Sequence, residues 1–288
     1  METQEILKKV RKIEIKTRGL SQNIFAGQYH TAFKGRGMTF SEVREYQYGD
    51  DVRSIDWNVT ARFGHPYIKV FEEERELTVM LLVDVSGSRD FGTNQNLKKD
   101  IITEVAATLA FSTIQNNDKV GVIFFSDKIE KFIPPKKGKK HVLHIIRELL
   151  VFEPQSNQTD LAGALRYFTN AIKKSSTAFV ISDFMSESFE HTLTIANRKH
   201  DVVAVQVYDE RECALPNVGM IKLKDAETGE RVWIDTSDKR LRTTYRHAWD
   251  ESQLKLQKTF TQSGVDFVSV ATNEDYVKSL IKLFRLRA

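Results

Sequence analysis

The stretch Leu77-Thr-Val-Met-Leu-Leu-Val-Asp-Val-Ser-Gly-Ser88 constrains the fold more than any other. A short, continuous, mostly apolar run that breaks off at an aspartate reads as a strand buried on both faces. Such a strand belongs to a parallel sheet covered by helices. Side chains at i, i+2 and i+4 of an extended chain point the same way. Asp84, Ser86 and Ser88 therefore converge where the strand ends, one carboxylate with two hydroxyls, at the edge where open α/β sheets bind ligands. That oxygen set suits a hard cation such as Mg²⁺, with Mn²⁺ or Ca²⁺ as substitutes.

From Leu77 onward the pattern alternates. Strands are expected at 77–84, 120–126, 129–133, 178–183, 202–208 and 265–271. Helices are expected at 97–116, 139–152, 160–173, 188–198, 239–263 and 273–286. Alternation of this kind implies an α/β, Rossmann-like domain over 77–288, with a mostly parallel central sheet flanked by helices. The short turn before 129–133 makes that strand antiparallel to its predecessor, and 218–236 reads as a late hairpin insertion. Residues 1–76 form an N-terminal accessory region: helical spacing over 4–16, then short strands and turns rich in Gly, Arg and aromatics.

Two later positions complete the oxygen set. Thr159 lies in a loop just before a helix, and Asp183 ends another buried strand, both on the carboxyl side of the sheet. Three hydroxyls and two carboxylates, completed by water, match the preference of Mg²⁺. The alternative is that Asp84 and its serines merely cap the next helix and tie down loops.

A net charge of +4, from 43 basic and 39 acidic residues, is too small and too mixed to indicate nucleic acid. The single cysteine, Cys213, excludes an internal disulfide and a multi-cysteine zinc site, and fits a reducing compartment. The start has no secretory signal, and no apolar run approaches the roughly 18 residues that span a bilayer. The expected location is the cytoplasm, without a direct membrane span. There is no phosphate-binding glycine loop, dinucleotide fingerprint or Gly-x-Ser-x-Gly elbow.

Asp50, Asp51 and Asp56 could form a second acidic cluster, but no nucleophile or base accompanies them. They read as turn and salt-bridge residues, with Arg53 and Arg62 as partners and Trp57 as a core anchor. His141 and His144, three apart on a helix, lack an evident third ligand for a metal site. Lys136-Lys-Gly-Lys-Lys140 reads as an exposed basic loop.

Asp84-x-Ser86-x-Ser88 with Thr159 and Asp183 resembles the metal-ion-dependent adhesion site of von Willebrand factor type A domains. Gly35-Arg-Gly-Met-Thr-Phe40, Arg44-x-Tyr46, Tyr48-Gly-Asp-Asp-Val-Arg53, Ile55-Asp-Trp57, Ala61-Arg62 and Val70-Phe-Glu72 resemble the signature of the domain-of-unknown-function 58 family. That resemblance implies a von Willebrand-like module whose metal captures an Asp or Glu of a partner protein. It also implies an adaptor or chaperone-like role beside a MoxR-type AAA+ ATPase or its client complex, rather than an enzyme. Two departures stand out: Arg89 follows the second serine, where it could shield the ion or recruit an acidic partner, and the loop before Thr159 lacks a glycine pair. The competing readings are a Mg²⁺-dependent hydrolase using Asp84 and Asp183, and a scaffold whose site stays empty.

Overall fold

The computed structural model describes residues 10–11, 38–73, 77–92, 97–186 and 188–287. Apart from residues 10 and 11, the helix expected over 4–16 lies outside them, as do Gly27, Gly35 and Gly37. The chain divides into two compact units, Phe33–Leu77 and a larger one containing Thr78–Ala288.

In the smaller unit, β1 (Met38–Glu45) and β2 (Tyr67–Glu73) pair antiparallel, with a bulge between Phe40 and Glu42. Helix α1 (Trp57–Phe63) starts where the Asp56 carboxylate accepts from the Asn58 and Val59 amides, and it ends on Gly64 at φ 74°. The acidic residues take different partners from those expected. Asp50 is clamped by Arg44 through two 2.8 Å bonds, and Asp56 faces Lys69 at 3.4 Å. Asp51 caps the 3-10 turn Val52–Ser54 by accepting from the Arg53 amide. Arg53 thus contributes its backbone. Trp57 is no core anchor, standing 68% exposed as the first residue of α1.

The larger unit is an α/β domain around a six-stranded sheet. Its strands are β3 (Thr78–Asp84), β4 (Lys119–Phe125), β5 (Ile129–Lys136), β6 (Thr177–Ser182), β7 (Asp201–Tyr208) and β10 (Asp266–Ala271). The order is β10-β7-β6-β3-β4-β5, parallel throughout except that β5 runs antiparallel to β4. A separate hairpin pairs β8 (Met220–Lys224) with β9 (Arg231–Asp235). The helices are α2 (Lys98–Gln115), α3 (Lys139–Val151), α4 (Leu161–Ala171), α5 (Glu190–Lys199), the short α6 (Glu210–Cys213), α7 (Lys239–Ser263) and α8 (Tyr276–Arg287).

Strand alternation sorts the core. Met80, Leu82, Ala178 and Val180 pack with Leu165 and Phe168 of α4, Leu193 of α5 and Phe260 of α7. Phe179, of opposite parity, meets Phe284 of α8 edge-on at 6.4 Å. Helices therefore cover both faces, the class the sequence implies.

Strand β5 extends three residues past the expected end at 133 and takes in Pro134 and Pro135. Proline lacks the ladder donor, and β5 tolerates two because it is an edge strand with an irregular register. Gly121 of β4 makes the close approach possible: a Cβ there would lie 2.8 Å from the Ile133 carbonyl oxygen and 2.8 Å from the Pro135 nitrogen. Among the described residues, no helix is long and apolar enough to cross a membrane.

Candidate metal centre

The sheet order fixes where a ligand can enter. From β3 the chain winds one way to β4 and β5, then returns to place β6 on the other side of β3. The crevice outside the carboxyl ends of β3 and β6 is a topological switch point. Asp84 ends β3, and Asp183 directly follows β6.

Asp84 is buried, with one carboxylate oxygen accepting from the Ser86 amide at 2.9 Å and the other from the Ser182 hydroxyl at 2.6 Å. Ser86 is buried too, and its hydroxyl lies 3.2 Å from that of Ser88. The Ser88 hydroxyl also favours the charged form of the Asp183 carboxylate. Asp183 is held in a strained turn. Phe184 takes a left-handed φ of 59°, its amide donates to the Ser182 hydroxyl at 3.0 Å, and its ring packs on Phe260 at 5.0 Å.

Thr159 comes from a third loop, tied down on both sides. The Asp160 amide donates to the Ser126 carbonyl just beyond β4, and the Gly87 amide donates to the Asn157 carbonyl. The Thr159 hydroxyl donates to Glu227 at 3.1 Å. The structure thus joins Asp84, Ser86 and Ser88 by direct side-chain and amide bonds, with Asp183 beside them. Thr159 comes in through the neighbouring loop.

Sequence reasoning missed four contributors. Ser182 bonds Asp84 because β6 is in register with β3, Val83 opposite Ile181. Lys98, the first residue of α2, is fully buried and bridges Asp183 at 2.9 Å and Glu212 of α6 at 2.7 Å. Its spacing to Ile101, Ile102 and Val105 already puts it on the buried stripe of α2, a readable signal. Glu227 sits at the tip of the β8–β9 hairpin, and nothing local in the sequence announces its contact. Arg89 donates to the Phe152 carbonyl at 2.7 Å, and its charge also acts on Asp84.

The two carboxylates differ electrically. Burial disfavours the charge of Asp183, but the Lys98 ammonium outweighs it and holds the carboxyl below its usual range. For Lys98, burial is likewise outweighed by Asp183 and Glu212, so its pKa lies above normal. Asp84 has no ammonium bound to it; burial, then the charge of Asp183, push it up to about 6 despite the serine bonds. A buried carboxylate so placed gains from a cation, and the donors around it are oxygens, so the residues fit a hard divalent ion. Among the described residues no cluster of three or more His, Cys, Asp or Glu could hold a metal, and this site differs in drawing mainly on hydroxyls.

The His141 ring bonds the Val120 carbonyl at 2.9 Å, and His144 lies 3.8 Å from Glu148, roles within the fold. Burial pushes the Cys213 thiol up to about 11, away from nucleophilic use.

A known protein-family model, "Protein of unknown function DUF58", matches residues 42–255. "Uncharacterized protein Rv1480" of Mycobacterium tuberculosis is 29% identical over 281 residues, covering 96% of this chain and 88% of its own length. "Uncharacterized protein YeaD" of Bacillus subtilis is 23% identical over 197 residues, covering 67% of this chain and 46% of its own. Among solved structures, the conserved hypothetical protein BatB from Bacteroides thetaiotaomicron aligns with a TM-score of 0.50 at 15% identity, over 73% of this chain and 98% of that one. That likeness speaks for the fold alone, a mostly parallel sheet with helices on both faces. With most of its length inside the family model, the chain belongs to the DUF58 family of proteins of unknown function.

Proposed function

We propose that the larger unit is a protein-interaction module that captures a carboxylate of another protein through a divalent cation held at Asp84. The observation that carries this reading is the electrical asymmetry of the pair: Asp183 is paired with the Lys98 ammonium at 2.9 Å, while Asp84 is buried with only hydroxyl and amide donors. Asp84, Ser86, Ser88 and Thr159 would supply oxygens. Asp183, whose oxygens already accept from Lys98 and the Met185 amide, would supply mainly charge. A bound Mg²⁺ supplies a positive centre whose charge the neutral hydroxyls compensate only in part, so an incoming Asp or Glu completes it. Family resemblance names a MoxR-type AAA+ ATPase or its client as the partner, with this chain as adaptor.

The hydrolase reading lacks a favourable observation. Lys98 is sequestered between two carboxylates, which does not suit a clamp for a substrate phosphate. Calorimetric titration with Mg²⁺ and Mn²⁺ tests the proposal. Saturable binding is expected, lost in Asp84→Ala and weakened at least tenfold in Ser86→Ala. A wild-type protein that takes up neither ion overturns it and leaves the empty scaffold. With metal binding established, capture of the purified ATPase should disappear in EDTA.

A further inference from the structure

The β8–β9 hairpin is held at its two ends and free between. At its base, the buried Thr236 hydroxyl bonds the Gly219 carbonyl at 2.7 Å and accepts from the Val218 amide at 3.1 Å. At its tip, Asp225 orders the turn by accepting from the Glu227 and Thr228 amides, at 2.9 and 2.7 Å. From Lys222 to Glu230 every residue is exposed except Glu227. That side chain leaves the tip and reaches the hydroxyl of Thr159. The backbone comes equally close: a Cβ on Gly87, between the two serines of the site, would collide with the Ala226 carbonyl oxygen. Gly87 is therefore what lets the tip lie on the Asp84–Ser88 loop. Glu227 thus brings a carboxylate within hydrogen-bond reach of a hydroxyl of the proposed oxygen set.

We propose that Glu227 is the chain's own occupant of the ion's open coordination position, so that a partner's carboxylate must displace the hairpin tip in order to bind. This inference rests on the cation-site reading above and adds a gate to it. The partner is accordingly one that presents an acidic side chain on a protruding segment, able to enter where the tip lies. The hairpin has the mechanics for release, because the tip holds through Glu227 and the Ala226 contact while the base stays fastened.

The test titrates Mn²⁺ into the wild type, Glu227→Ala and Glu227→Gln, following water-proton relaxation, which reports both affinity and exchangeable waters on the bound ion. The wild type should bind Mn²⁺ with the lower relaxation enhancement. Both variants should bind roughly five- to twentyfold more weakly, with higher enhancement as water takes the vacated position. Acetate added at millimolar concentration should then lower the enhancement of the variants and leave the wild type unchanged. Glu227→Gln keeps an acceptor for Thr159, so a purely structural hydrogen bond would leave that variant at the wild-type values. Equal affinity and enhancement in all three proteins overturns the gate while the cation site stands. Binding confined to the variants overturns it too, since Glu227 would then exclude the ion. Binding by none of the three removes the cation reading and the gate with it. Far-ultraviolet circular dichroism should be the same for all three, since the substitution falls on a hairpin tip outside the core.

Discussion

At the scale of single residues, Lys98 is the side chain whose loss should matter most. Its ammonium is fully buried against Asp183 and Glu212. Replacing one partner of a buried ionic group leaves uncompensated charge in a poorly solvated place, which costs about 3–5 kcal/mol. Lys98→Met is expected to lose about that much stability in urea unfolding. Adding Glu212→Gln should recover part of it by removing one of the stranded carboxylates. A loss below about 1 kcal/mol would mean that water or a cation reaches the pair and that the lysine is not its main counter-charge. Glu212 belongs to the four-residue α6, so the bridge ties a helix too short to be stable alone to the start of α2 and to the switch point.

At the scale of elements, strand β4 and its antiparallel neighbour depend on one missing side chain. Gly121→Ala would bring a Cβ within 2.8 Å of two backbone atoms of β5 and 2.9 Å of the Met80 sulfur. The thioether can move, but the two backbone positions cannot without shifting the strand. Overpacking of this kind typically costs 1–3 kcal/mol, seen as a lower Tm; an unchanged Tm would show that β5 slides freely along β4. The elements themselves were largely legible. The strands buried on both faces announce themselves as apolar runs, and Asp84 and Asp183 are where those runs stop. What the sequence hides is register and long-range contact. Ser182 reaches Asp84 only because β6 lies beside β3 in parallel register, and Glu227 reaches Thr159 across 68 residues of chain. Neither pattern has a local signature. Trp57 misleads in the other direction: a large aromatic reads as core, yet the first turn of the seven-residue α1 turns it outward. Arg44 and Lys69, the true partners of Asp50 and Asp56, sit on strands facing the turn, whereas Arg53 and Arg62 are merely near in sequence.

At the scale of the whole molecule, global stability should carry the imprint of His200. The ring is buried after the end of α5, 3.0 Å from the Ser176 hydroxyl and 4.3 Å from Phe168. Burial, with a smaller push from Lys199, lowers its pKa from 6.5 to about 4. The unfolded chain therefore takes up the proton first as pH falls. The folded state keeps its full advantage above about pH 6.5 and loses it progressively toward pH 4, by roughly 2–3 kcal/mol at pH 4.5. Urea unfolding at pH 7 and 4.5 should show the wild type losing that much more than His200→Gln, in which the carboxylates still titrate. Equal losses in the two proteins would place the ring in contact with water.

Pro134 and Pro135 of β5 bear on how copies of this molecule meet one another. A strand at the margin of a sheet normally offers amide hydrogens to any extended chain that drifts past, the first step toward fibres. Here two successive imide nitrogens have no hydrogen to offer. Addition of a foreign strand is therefore hindered at the Pro134–Pro135 end of β5.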